Sequence, residues 1–241
     1  MLVKLGLIYI KEEKWYDAKV IFKQIIKYDQ EASYAWRYLG YSLTQLAEFE
    51  EAEKALMKAN ILDVENPLIW AYLAIFDLNN GKKYQALECF NELNKVNYND
   101  VNIMKQIAKL FYDMEEYEIS KNIYLKIKDQ EKTDGDCYLK IAKIFNEKLS
   151  QKQEALNILK EGLDKVMDDN YHQDIEKLMK DIEKEEQDLF IGELGEKDFE
   201  NGEVPQTGKL LINESKLNEN NDNVNMEHSK ISNKDDQKVM I

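Results

Sequence analysis

Arginine, histidine and cysteine are nearly missing from this chain, and their scarcity removes whole classes of chemistry. The two histidines, His172 and His228, and the two cysteines, Cys89 and Cys137, are too few and too scattered for a zinc cluster or for a nucleophile with its base. Both cysteines lie within helical patterns and far apart in sequence, which is not a disulfide framework and points to a reducing compartment. They read as small core residues. Of the 33 basic residues Arg37 alone is an arginine, and with the abundant Asn and Ile this reads as an AT-rich coding bias.

Ligand-binding loops are lacking as well. Residues 192–197 have two glycines and a lysine but neither the gap, the following Ser or Thr, nor the preceding strand of a phosphate loop, and they read as flexible tail. Residues 129–136 are acidic, but in a calcium loop aligned on Gly135, Gln130 and Lys132 stand where oxygen ligands are needed and Ile141 where the glutamate should be. Carboxylates abound on solvent faces, where they cannot do paired acid–base work. The expectation is a protein without catalytic residues, cofactor or metal site.

No run approaches the roughly 18 apolar residues of a membrane-spanning helix, and the opening MLVKLGLIYIKEEKW is too short and lacks the small-residue cleavage site of a signal peptide. With 47 acidic against 33 basic residues and a formal charge of −14, binding to nucleic-acid phosphates or anionic lipid is opposed. A soluble cytoplasmic protein whose partners are other proteins is expected; the oligomeric state cannot be read.

What is present is a repeat. Trp36, Leu39 and Gly40 return as Trp70, Leu73 and Ala74, 34 residues on, and that interval is the tetratricopeptide (TPR) period. Gly6, Gly40, Ala74, Ala108 and Ala142 share the spacing, as do Ala18, Ala52, Ala86 and Ser120 in the return helices. Small residues are needed there because the two helices of a pair approach closely, while Phe22, Leu56, Phe90 and Tyr124 fill the next contact.

The predicted fold is therefore all-α, a right-handed TPR superhelix of antiparallel helix pairs. About five repeats span residues 1–168, the first abbreviated, so that the chain opens inside a repeat; a lost upstream segment is favoured over an imperfect cap. Pro67 starts a helix that Asn66 can cap. In the fifth repeat Ala155 arrives one residue late, and a longer turn is expected to absorb the insertion. A capping helix is predicted over 169–190, with Ile175, Leu178, Met179 and Ile182 on one stripe. A disordered acidic tail is predicted over 191–241, with apolar knots only at 209–212 and 239–241.

In a TPR array the first helices line the concave face. The candidate partner-binding residues are Tyr34, Arg37, Tyr38, Tyr41, Tyr72 and Ile75, then Lys105, Gln106, Lys109, Lys140 and Lys143, a groove running from aromatic to basic. Tyr and Arg make good interface anchors, and the lysines could steer an acidic peptide.

Chaperone-adaptor TPR domains hold a C-terminal carboxylate with Lys and Asn on adjacent first helices. Here Tyr41 follows Arg37 by one turn and Lys109 follows Lys105, so the clamp asparagine is missing. A closer resemblance lies in AlaTrpArgTyrLeuGly at 35–40, the helix at 50–60 ending in AlaAsn, and IleTrpAlaTyrLeuAla at 69–74. Over residues 32–76 the chain resembles the C-terminal TPR region of an axonemal cilia- and flagella-associated protein. That resemblance implies a scaffold in a cilium or axoneme supporting assembly or motility; the alternative is a cytosolic adaptor, co-chaperone-like or an assembly factor, recognising an acidic or C-terminal peptide.

Overall fold

A computed structural model describes residues 1–201, and among these every regular element is a helix. Five antiparallel pairs follow one another: α1 (Leu2–Lys11) with α2 (Trp15–Tyr28), α3 (Ser33–Gln45) with α4 (Phe49–Leu62), α5 (Pro67–Asn79) with α6 (Lys83–Lys95), α7 (Val101–Asp113) with α8 (Tyr117–Gln130), and α9 (Gly135–Lys143) with α10 (Lys152–Lys165). A last helix, α11, spans Asp169–Asn201. Met1–Ile182 form one compact unit holding the repeats; of the second, Glu183–Ile241, the described part is the remainder of α11. The helix thus continues past residue 190, where the sequence places its end, and takes in residues 192–197. Residues 202–241, most of the predicted tail, lie outside the described residues.

The 34-residue spacing has a direct steric cause. A Cβ at Gly40 would lie 2.5 Å from Leu56 Cγ, and one at Gly6 would lie 2.7 Å from Phe22 Cζ. Each first helix offers a notch and each return helix fills it with a large side chain. Phe22 and Leu56 are fully buried as a result, as are Ala74 and Ala108 at the equivalent notches. Ser120 takes an alanine position without cost because its hydroxyl donates to Ala108 O at 2.8 Å.

The first four pairs close on the same turn. At the end of α3 the Ala47 N–H donates to Thr44 O and the Glu48 N–H to Leu43 O; the ends of α1, α5 and α7 repeat the pattern. These are Schellman bonds, and they require a left-handed residue. Gly81 meets that need with φ +72°, whereas Glu13, Ala47 and Glu115 adopt φ of 57°, 58° and 63° despite their side chains.

The insertion in the fifth repeat is not absorbed by a longer turn. Ile144–Lys148 form one π-helical turn, and Ser150 takes the left-handed position with φ 54°. The closing bond there spans Gln151 to Phe145, one residue more than Glu116 to Phe111 in the fourth repeat. The extra residue widens the helix end, and the left-handed residue before the return helix is kept.

First helices start on Asn66, whose side chain accepts from the Leu68 N–H, and on Asp100, which accepts from the Ile103 N–H. A second tie recurs. Trp36 Nε1 donates to Gln30 O at 2.8 Å, Trp70 Nε1 to Val64 O at 3.2 Å, and the Tyr138 hydroxyl to Lys132 O at 3.1 Å. His172 Nε2 lies 2.5 Å from Val166 O, the same six-residue reach, so α11 enters as the next first helix of the series.

Candidate functional site

The first helices α3, α5, α7 and α9 carry the predicted groove residues, and the two halves of that set meet different fates. In the aromatic half, Tyr41 lies flat on Tyr72, ring centroids 4.2 Å apart and 12° from parallel, with the edge of Trp15 against it at 5.5 Å. Tyr38 stacks on Phe22 at 5.2 Å. The Tyr41 hydroxyl then donates to Gln106 Oε1 at 2.9 Å, bridging α3 to α7 over α5. Burial raises the Tyr41 and Tyr72 pKa values, so both hydroxyls stay protonated.

Burial corrects part of the sequence reading. Ile75 has no exposed surface and Tyr72 is 5% exposed; both are packing residues, and Ile75 presents nothing to a partner. Arg37 is also buried, its guanidinium 4.7 Å from the Tyr38 ring centroid; no carboxylate among the described residues pairs with it, and its Nε lacks a hydrogen-bond partner. Of the aromatic set, Tyr34 is exposed, Tyr38 half-buried, and Tyr41 reaches the groove by one edge.

The basic half stays open. A concavity of about 550 Å³ is lined by Tyr41, Gln45, Lys105, Gln106, Lys109 and Lys140, with Glu13 and Trp15 of the first repeat, Asn102, Tyr124 and Asp136. A smaller one of about 110 Å³ adjoins it, lined by Lys109, Tyr112, Tyr124, Lys140, Lys143 and Ile144. Lys109, Lys140 and Lys143 are exposed. Lys105 is different, because it pairs with Asp134 on the next repeat.

Glu13, Trp15, Gln45, Asn102, Tyr112 and Tyr124 were not legible as groove residues. Tyr124 carries the large-residue position of its return helix, which reads as core, and it nonetheless lines both concavities. Glu13 and Trp15 line one concavity with Lys140 through the winding of the array, for which local sequence holds no signal. Cys89 and Cys137 are buried as expected; burial and the neighbouring Asp77 push the Cys89 thiol up to about 12, and burial raises Cys137. Among the described residues no three His, Cys, Asp or Glu side chains gather as metal ligands, and no helix is long and apolar enough to cross a membrane.

Antiparallel pairs in a 34-residue register, stacked notch on knob, define a tetratricopeptide-repeat protein. Within that class the chain belongs to the family described as the cilia and flagella-associated protein 70 C-terminal domain, whose model matches residues 1–178. The resemblance read from residues 32–76 therefore extends over the whole repeat array. Cilia- and flagella-associated protein 70 of Homo sapiens is 33% identical over 108 residues, covering 45% of this chain and 10% of that protein; the Macaca fascicularis protein matches to the same extent over 11% of its length. The match thus spans about a tenth of these relatives' length. BBSome complex member BBS4 of Bos taurus is 28% identical over 123 residues, covering 51% of this chain and 23% of that one.

Solved structures share the fold. PilF of Pseudomonas aeruginosa superposes with a TM-score of 0.55 at 14% identity, covering 84% of this chain and 96% of that one. A MamA crystal structure gives 0.53 at 17% identity over 68% and 89%.

Proposed function

We propose that this chain is a non-enzymatic scaffold of a cilium or axoneme, holding a peptide or helix of another protein in its concave groove and supporting assembly or motility. The family match carries the setting. The groove carries the mode: a concavity of about 550 Å³ lined by aromatic, amide and lysine side chains with the carboxylates of Glu13 and Asp136, on a chain of net charge −14. Such a surface offers contact area through Tyr41 and Trp15, directional polar contacts through Gln45 and Gln106, and attraction through its lysines. Two relatives, a cilia- and flagella-associated protein and a BBSome complex member, favour a role in an assembly of proteins.

The exposed lysines favour a second reading, a cytosolic adaptor or assembly factor that recognises an acidic peptide. Quantitative affinity capture from ciliated and non-ciliated material separates the two. Enrichment of axonemal proteins over the non-ciliated control supports the scaffold; recovery of chaperones with no axonemal proteins supports the adaptor and sinks the ciliary setting.

A further inference from the structure

We propose that the crevice between α7, α8 and α9 is a receptor for a phosphate monoester carried by the partner peptide. This rests on the groove reading above, because Lys109, Tyr124 and Lys140 line both the crevice and the main concavity. A chain lying in the groove can therefore turn one side-chain branch into the crevice.

The charge distribution is the first support. Ten lysines, Lys14, Lys19, Lys23, Lys82, Lys83, Lys95, Lys105, Lys121, Lys128 and Lys165, sit in ion pairs with the chain's own carboxylates. Lys109, Lys140 and Lys143 converge on one crevice and none of them has an ion-pair partner among the described residues. The carboxylates around Tyr124 are Asp113, Asp134 and Asp136; Asp134 is taken by Lys105, and the other two pair with none of the three lysines. Three like charges brought together on an acidic protein repel one another until an anion joins them.

Size and donor type select the anion. A volume of about 110 Å³ admits a small group and not the body of a second helix. Three ammonium groups and a phenol offer point-like, rotatable donors, whereas planar carboxylates are best gripped by the arginine fork, and Arg37 is committed elsewhere. A phosphate monoester brings about −1.5 to −2 charges and three acceptor oxygens, enough to engage all three lysines. Tyr124 is 4% exposed and held protonated by burial and the nearby aspartates, so its hydroxyl is a donor. Lys148, lying over the rings of Tyr112 and Tyr117 at 5.7 and 5.3 Å, adds positive potential at the wall.

The test is fluorescence anisotropy of the full chain with three capped, otherwise uncharged peptides carrying phosphoserine, glutamate or serine at one position. The phosphoserine peptide should bind at least roughly tenfold more tightly than the glutamate peptide. The double substitution Lys109→Gln with Lys143→Gln should remove that advantage while leaving helical circular dichroism unchanged. Equal affinity for phosphoserine and glutamate, no saturation by about 1 mM, or an advantage that survives the double substitution each overturns the proposal. Partner capture through the groove that is indifferent to phosphatase treatment would leave the groove reading standing and remove this one.

Discussion

The Tyr41 hydroxyl donates to Gln106 Oε1 at 2.9 Å, joining first helices two repeats apart across α5. The concave face has a packed aromatic part, where Tyr41 stacks on Tyr72, and an open part lined by Lys109 and Lys140. Replacing Tyr41 with Phe strands the Gln106 amide and should cost about 0.5–1.5 kcal/mol, lowering the urea midpoint. Tyr41→Ala also removes the stack on Tyr72 and should cost about 3–5 kcal/mol, so loss of binding in that variant would report folding and not contact.

Gly40 tests the notch. Alanine there gains up to about 1 kcal/mol of helix propensity, but its Cβ meets Leu56 Cγ at 2.5 Å and the Leu56 backbone N at 3.2 Å. A net loss of about 1–3 kcal/mol is expected, measured by urea denaturation. Adding Leu56→Ala should recover part of the Gly40→Ala loss in a double-mutant cycle.

Ala47 tests the turn. It holds φ 58° at the position where the third repeat has Gly81. Left-handed backbone costs a residue with a Cβ about 1–2 kcal/mol, part of which glycine gives back in chain entropy. Ala47→Gly should raise the thermal midpoint; a fall of the usual glycine size would contradict the assigned geometry.

Asp77 sets a pH dependence. It is buried, and burial lifts its carboxyl to about 6, against the Lys82 ammonium that lowers it; Glu53 and Glu88 raise it, and the Cys89 thiol donates to it at 3.9 Å. Its folded pKa lies above the unfolded 3.8, so its contribution is full below about 4 and lost as the pH rises through about 6. Stability should increase between pH 7.5 and 5, and Asp77→Asn should flatten that slope and add on the order of 1–3 kcal/mol at pH 7.

The repeat register was legible because it is a local steric rule written every 34 residues, in Gly40 against Leu56 and Gly6 against Phe22. The ends of first helices were legible where a cap is a side chain, as at Asn66. The π-helical turn at Ile144–Lys148 was not, since an insertion shows its presence in sequence but not whether helix or turn takes it. In the groove, Lys109, Lys140 and Lys143 were read correctly as exposed on first helices, because solvent-facing polarity follows helical period. Tyr72, Ile75 and Arg37 were read on the same faces, yet the winding of three consecutive repeats buries them. That burial comes from contacts between repeats, such as Tyr72 against Tyr38 and Tyr41, beyond the reach of any single repeat's pattern.

Site-specific photo-crosslinking tests the use of this groove most directly. A photoreactive residue is placed at Lys109 or Lys143, and in parallel at Ile61 and Tyr84, exposed positions on the return helices α4 and α6. In extract from ciliated cells, the expected result is a shared partner adduct from both groove positions and none from Ile61 or Tyr84. Adducts that form only at the return-helix positions would contradict a partner-binding concave groove.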